Sequence, residues 1–325
     1  MGNKKIWIVG SGNIGLEYAR ILSVLGVDFV VIGRGEASAA VFERSMLEKD
    51  CPLKTPVVRG GLTAFLKTNP DQPSSAIVAL PIESLRAAAG ELMCYGVRSI
   101  LLEKPGIGYP EEIRELAQQA QDTGSDVLIA YNRRFYSSVL KAEEIIRQDG
   151  GVMSFHFEFT EWAHTIKPEN YAKVVLDHWL LGNSSHVIDT AFFLGGQPRE
   201  ISCYRSGGLS WHPAASVFAG AGVSDHGALF SYCANWEAPG RWAVEILTKK
   251  HRLYLKPMES LQIQDIGSVA VNPVEIDDRL DKEFKPGFYL QTQAFIKGDY
   301  ARFCSVGQQK EHIEHFYLQM SGYER

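Results

Sequence analysis

Between Ile8 and Leu22 the chain reads IVGSGNIGLEYARIL, with glycines at 10, 12 and 15 directly after a short apolar run. Glycine weakens strands and helices alike, so three of them at the mouth of a helix need a reason. Their spacing supplies one. Gly10 permits a tight turn out of a strand, Gly12 lets a pyrophosphate approach the backbone, and Gly15 lets the helix pack close to the sheet. Asn13 and Ile14 then open a helix whose free N–H groups and positive dipole end face those phosphates. Context separates this from a glycine-rich turn without a ligand. The glycines follow the strand pattern KIWIVG and open IGLEYARILSVLG, where Ile14, Tyr18, Ile21, Leu22 and Leu25 recur near helical spacing and Gly26 ends the run. The motif predicts a dinucleotide site.

The end of the second strand selects the dinucleotide. NAD sites usually place Asp or Glu there to bind the ribose 2′-hydroxyl. This chain reads VVIGRGEAS, so the strand ends at Ile32 and Gly33 and Arg34 follows. A guanidinium without a carboxylate at the tip favours a 2′-phosphate, hence NADP over NAD. In the alternative, Arg34 is a solvated loop residue and Glu36 turns back to an NAD ribose.

Through residue 130, strand patterns (DFVVIG, SSAIVAL, VRSILLE, DVLIAY) alternate with helical ones such as PEEIRELAQQAQDTG. Such alternation predicts a doubly wound parallel sheet of the Rossmann type. Beyond Tyr131 the texture changes. VMSFHFEFTEW alternates with period two, a long helix is expected from about Pro168 to Leu194, and EISCYRS, ALFSYCANW, RWAVEILTK and HRLYLKP read as antiparallel strands. A last helix is expected from about Val306 to Met320. The fold class is therefore α/β. Residues 1–130 form an NAD(P)-binding domain, residues 131–325 a second α/β domain with a mostly antiparallel sheet, and chemistry is expected in the cleft between them.

Composition narrows the partners. The net charge of -5 gives no basic face for nucleic acid. Five scattered cysteines without a C-x-x-C favour a reducing compartment over disulfides or structural zinc, and no metal is expected. No apolar run approaches the ~20 residues of a membrane span. IWIVG is too short for a signal-peptide core, Lys4 and Lys5 lead straight into it, and MGNKKI has Ile6 where myristoylation wants Ser or Thr. The expectation is a cytoplasmic protein.

LLEKPG, residues 101–106, ends another strand of the first domain. Strand ends of an open parallel sheet face the ligand crevice, and a lysine there can stabilise a developing alkoxide. With the glycine loop, the Glu103-Lys104-Pro105 triplet, YNRRF at the domain crossover, GNSSHVIDTAFFLGG (182–196) and the terminal QAFIKGD, the chain resembles the glucose–fructose oxidoreductase and inositol dehydrogenase family over most of its length. The resemblance implies a Rossmann domain followed by an α/β domain built on an open sheet, a nicotinamide cofactor and a sugar or polyol-like substrate. By the same match Lys104 touches nicotinamide ribose and substrate, and His186 is the proton-transfer residue. Glu103 belongs to the cofactor side, and Leu80 and Pro81 are expected to wall the nicotinamide pocket.

Those residue types suit the chemistry. Removing hydride from an alcohol carbon leaves an O–H proton, and an imidazole with an ordinary pKa near ~6.5 can take it at neutral pH. Asn183, His186, Asp189 and Thr190 recur at three- and four-residue spacings in an otherwise apolar helix, with Asp189 read as an orienting or structural group. The alternative is a histidine satisfied in the interior. Two positions depart from the family. Gly182 stands where many members carry an aspartate one turn before the histidine, while Asp177 lies elsewhere on a regular helix. Leu85 stands near where many relatives have a histidine.

Arg133, Arg134 and Tyr136 follow the crossover strand, and Trp162, His164 and Tyr171 precede the long helix. Arginines suit carboxylate or phosphate and aromatic faces suit sugar rings. Arg133, Arg134, Trp162, Asn183 and His186 are thus the candidate substrate contacts, although paired arginines also form structural salt bridges. The reading is an NADP-dependent oxidoreductase of an acidic, phosphorylated or nucleotide-linked sugar. Its rivals are a non-catalytic NADP(H)/sugar sensor, which Gly182 would suit, and an imine or tetrapyrrole reductase. An open sheet face suggests a homo-oligomer, dimer or tetramer.

Overall fold

A computed structural model describes residues 5–323. The targeting signals weighed at Met1–Lys4 lie outside them. The described chain divides into two compact units, Met1–Tyr131 with Phe288–Glu311, and Asn132–Gly287 with His312–Arg325.

The first unit is built on β1 (Ile6–Val9), β2 (Phe29–Ile32), β3 (Ser75–Val78), β4 (Ser99–Leu102) and β5 (Asp126–Ile129). They order as β5-β4-β3-β1-β2, all parallel, with Cys304–Ser305 pairing antiparallel on the outer edge of β5. In register, Ile6 to Val9 face Phe29 to Ile32 on one side and Ser75 to Val78 on the other. Helices cover both faces, which is why each strand is a short apolar run and not an alternating one. Helix α1 (Asn13–Val24) buries Tyr18, Ile21 and Leu22. The helix Phe288–Lys297 lies on α1, with the rings of Phe288 and Tyr18 4.9 Å apart. The sequence pattern assigns everything after residue 130 to the second domain; the structure returns Phe288–Glu311 to the first.

The second unit carries β6 (Ser154–Glu158), β7 (Pro198–Ser206), β8 (Val217–Ser224), β9 (Leu229–Asn235), β10 (Ala243–Leu247), β11 (His251–Leu255), β12 (Gln262–Asp265) and β13 (Asn272–Pro273). They order as β13-β12-β11-β10-β6-β9-β8-β7. Only β6 and β9 run parallel. Alternate residues of β6 and β9 face the helix Ser185–Gly195, whose Phe192 meets Phe157 at 5.2 Å and Phe230 at 5.2 Å, both edge to face. This packing explains why almost the whole helix is buried. On the sheet, Tyr204 and Leu229 stay exposed.

The long helix expected over 168–194 is broken. It consists of a short turn at Pro168–Asn170, a helix Lys173–Asp177, a π-helical turn Leu180–Ser184 and the helix Ser185–Gly195. The Leu180 N–H donates to the Tyr323 hydroxyl at 3.1 Å, a partner near the other end of the chain that local spacing could not announce. The closing helix, Val306 to Ser321, also contains a π-turn, at Ile313–Tyr317.

Candidate active site

At the head of β1 the glycines divide by cause. Gly10 has φ +123°, and a Cβ there would stand 2.2 Å from the Ala79 carbonyl oxygen. A Cβ on Gly15 would stand 2.1 Å from the Gly10 carbonyl oxygen. Both are therefore fixed by the fold itself. Gly12 is different. Its φ of -94° suits any residue, and a Cβ there would meet nothing within 4 Å. The protein gives no internal reason for glycine at 12, whereas a pyrophosphate approaching the backbone does. Gly12 precedes the first turn of α1, which holds no acidic side chain, and no side chain caps it. Asn13 and Ile14 stand in that turn.

The tip of β2 touches the same loop. A Cβ on Gly33 would stand 2.6 Å from Ser11 Oγ. Arg34 is exposed, its carbonyl accepts from the Gly60 N–H at 3.3 Å, and its guanidinium forms no ion pair among the described residues. Glu36, the carboxylate of the NAD alternative, instead accepts from Arg59 Nε at 2.8 Å. Leu80 is half-buried after β3, and Pro81, exposed, caps the helix Ile82–Tyr95 in whose core Leu85 is buried. After β4, the Glu103 carboxylate accepts from the Tyr18 hydroxyl at 3.1 Å. Burial, reinforced by that charge, holds the Tyr18 phenol well above its ordinary range. Lys104 follows, half-buried, and the Pro105 carbonyl accepts from Gln309 Nε2 at 3.2 Å.

In the second unit the two arginines of YNRRF separate. Arg134 is buried and makes a bidentate pair with Asp189, Nε to Oδ2 at 2.8 Å and Nη2 to Oδ1 at 2.6 Å. This pair is the structural salt bridge that the sequence left open as the alternative for paired arginines. Arg133 stacks on Trp242, its guanidinium carbon 4.6 Å from the ring centre, and lies 5.6 Å from the Tyr136 ring. Among the described residues its buried Nε has no hydrogen-bond partner. Burial lowers its pKa from the ordinary arginine value. Arg241 sits 5.0 Å from the Trp242 ring and 4.5 Å from that of Trp162, so cations and aromatic faces alternate from the half-exposed Trp162 inward to Tyr136.

His186, half-buried, lies beside this ladder, its ring 6.2 Å from that of Trp242. Glu161 is buried and accepts from Asn183 Nδ2 at 2.9 Å and Ser184 Oγ at 2.6 Å. Burial raises its pKa, opposed by the hydrogen bond from Ser184, the charge of Arg241 and the hydrogen bond from Asn183. Asp177 pairs with Lys173 at 2.7 Å. His164 and Tyr171 are exposed. Sequence reasoning missed Glu161, Arg241 and Trp242. The first sits at the end of an alternating strand with nothing to mark it, and the other two read only as the start of the next.

Comparison with known proteins bears on the fold. The model of the pyridine nucleotide-disulphide oxidoreductase family matches residues 5–49, the stretch that carries β1, α1 and β2. No curated protein matches the sequence. Among solved structures, UDP-N-acetylglucosamine 3-dehydrogenase from Acidithiobacillus ferrooxidans superposes with a TM-score of 0.72 at 16% identity, over 98% of this chain and 96% of the other. Levoglucosan dehydrogenase, in complex with NADH and L-sorbose, gives 0.73 at 16% identity over 96% and 94%. An inositol dehydrogenase homologue from Azotobacter vinelandii, with NADH and myo-inositol, gives 0.71 at 15% identity over 95% and 92%. The chain shares its fold with these dehydrogenase structures. Within this fold the glycine loop and Lys104 stand in the Rossmann unit, and the Arg133, Trp242 and His186 cluster stands in the sheet-bearing unit.

Proposed function

We propose that the protein is an NADP-dependent oxidoreductase that moves a hydride between nicotinamide and an alcohol or ketone carbon of an acidic sugar derivative. The clear space at Gly12 carries the proposal, because only an outside group makes a glycine necessary there. Gly10, Gly12, Asn13, Ile14 and Gly15 would hold the pyrophosphate, Arg34 the 2′-phosphate, Leu80 and Pro81 the nicotinamide, and Glu103 and Lys104 the sugar end of the cofactor. When bound, the cofactor supplies the hydride acceptor or donor. The chain's own residues do the rest. In the oxidative direction His186 takes the hydroxyl proton, and the Lys104 ammonium stabilises the negative charge that develops on that oxygen. In reduction the same imidazole returns the proton. Arg133, whose buried Nε has no hydrogen-bond partner among the described residues, binds the substrate's carboxylate or phosphate, and Trp162 offers its exposed face to the sugar ring.

NADPH is expected to bind more tightly than NADH. Arg34→Ala should narrow that gap by weakening NADPH alone. Gly12→Ala should weaken both cofactors while leaving the melting temperature unchanged, because its Cβ meets no protein atom. Fluorescence titration with both cofactors reads these effects; equal wild-type affinities would remove the role given to Arg34.

The exposed sheet face that carries Tyr204 and Leu229 supports self-association, as a dimer or tetramer. Light scattering at micromolar concentration should show at least a dimer, and a 36.1 kDa monomer would leave that face without this use. Among the described residues no helix is long and apolar enough to cross a membrane. With five cysteines free, we place the protein in the cytoplasm.

A further inference from the structure

From the geometry around the π-turn we infer that Glu161 is a positioning residue for the proposed reaction: it locks the Asn183 amide so that the carbonyl oxygen, not the nitrogen, is offered to a substrate hydroxyl. The inference rests on the sugar-oxidoreductase reading.

A carboxylate only accepts hydrogen bonds, and an amide presents a donor at one end and an acceptor at the other. Glu161 takes the Asn183 Nδ2–H at 2.9 Å, so the nitrogen must face the carboxylate and Oδ1 must face away. Asn183 is half-buried, and among the described residues its Oδ1 accepts no hydrogen bond. Ser184 Oγ holds the other carboxylate oxygen at 2.6 Å, which fixes Glu161 in turn. Asn183 stands three residues before His186. An acceptor held there can accept a hydrogen bond from a sugar hydroxyl but gives nothing to an oxyanion, so it selects substrates with a free hydroxyl beside the reacting carbon.

The arrangement also accounts for Gly182. The carboxylate that the family resemblance places on the helix comes here from the segment after β6, and it reaches the same turn through Asn183. Burial raises the Glu161 pKa above its ordinary value, and the hydrogen bond from Ser184, the charge of Arg241 and the hydrogen bond from Asn183 oppose that rise.

Exchanging the pair tests this. In wild type, nitrogen-15 NMR should show slowly exchanging Asn183 Nδ2 protons, and Glu161→Gln should speed that exchange about tenfold, since a neutral amide no longer dictates which end of Asn183 faces it. Hexuronates and their phosphates are screened with NADP⁺ by absorbance. For those turned over, Glu161→Gln should lower kcat/KM about tenfold, the scale of one hydrogen bond to a charged group, with NADPH affinity unchanged. The double variant Glu161→Gln/Asn183→Asp should recover most of the loss. The amide introduced at position 161 can then donate to one carboxylate oxygen at position 183 and leave the other as acceptor. An Asn183 amide indifferent to Glu161→Gln, or a double variant no better than the single, overturns the lock. A wild-type protein that turns over none of the panel overturns the reaction on which the inference rests, whatever the amide shows.

Discussion

His186→Ala and Lys104→Ala are each expected to lower turnover by about 10²-fold or more, the usual size of a lost acid/base or charge-stabilising group. Each residue serves the transition state more than the ground state, so the loss should fall on kcat, with NADPH affinity changing far less. The glycine loop carries most of the cofactor binding and neither substitution touches it. Asp177→Ala is the contrast. Its carboxylate is held by Lys173 and the helix that bears it ends before the π-turn, so turnover should barely change. Steady-state kinetics on all three variants read the outcome. A dead Asp177→Ala beside a fully active His186→Ala would show that the wrong face of this region had been assigned the proton transfer.

The largest effect on stability is expected at Asp189. Its carboxylate and the Arg134 guanidinium are 1% and 6% exposed, so in this bidentate pair each replaces water that the other has lost. Asp189→Ala takes the bidentate carboxylate away from a buried cation, and breaking such a pair from one side typically destabilises by about 3–5 kcal/mol. Removing both charges is a different matter. Arg134→Met with Asp189→Leu should cost much less than either single loss, because well-packed apolar groups can replace a buried ion pair with little penalty. Urea unfolding of the single and double variants measures both. A loss under about 1 kcal/mol for Asp189→Ala would mean that water reaches Arg134.

How far the sequence can be read depends on the range of the forces involved. The positive φ at Gly10 and the approach of Gly15 to the Gly10 carbonyl are local, so their spacing announces the strand, the turn and the helix together. The parallel sheet is equally legible, because strands buried on both faces are apolar runs set between helical patterns. The break at Leu180–Ser184 is not, since apolar residues continue at helical spacing through it and the group that satisfies Leu180 N–H is Tyr323. The return of Phe288–Glu311 to the first unit is a matter of packing on α1, far away along the chain. The site shows the same division. His186 and Lys104 stand out by local context and resemblance. Arg241 and Trp242 become site residues only through register: β10 pairs with β6 so that Ala243 faces Glu158. That pairing carries residues 241 and 242 alongside the segment that holds Glu161 and Trp162, and Arg241 then stacks on Trp162. The two arginines of YNRRF are indistinguishable in sequence; which one pairs with Asp189 is decided by the buried surroundings of Arg134.

The most direct test of the account is turnover itself. The purified protein is incubated with NADP⁺ and a panel of acidic and phosphorylated sugars, and NADPH formation is followed by absorbance. The expected result is a sugar-dependent rise that His186→Ala and Lys104→Ala suppress. The contradicting result is a sugar that binds the NADP complex by calorimetry yet is never oxidised by the wild-type protein, nor its ketone reduced with NADPH, which would make the protein a sensor of cofactor and sugar instead of an enzyme that couples them.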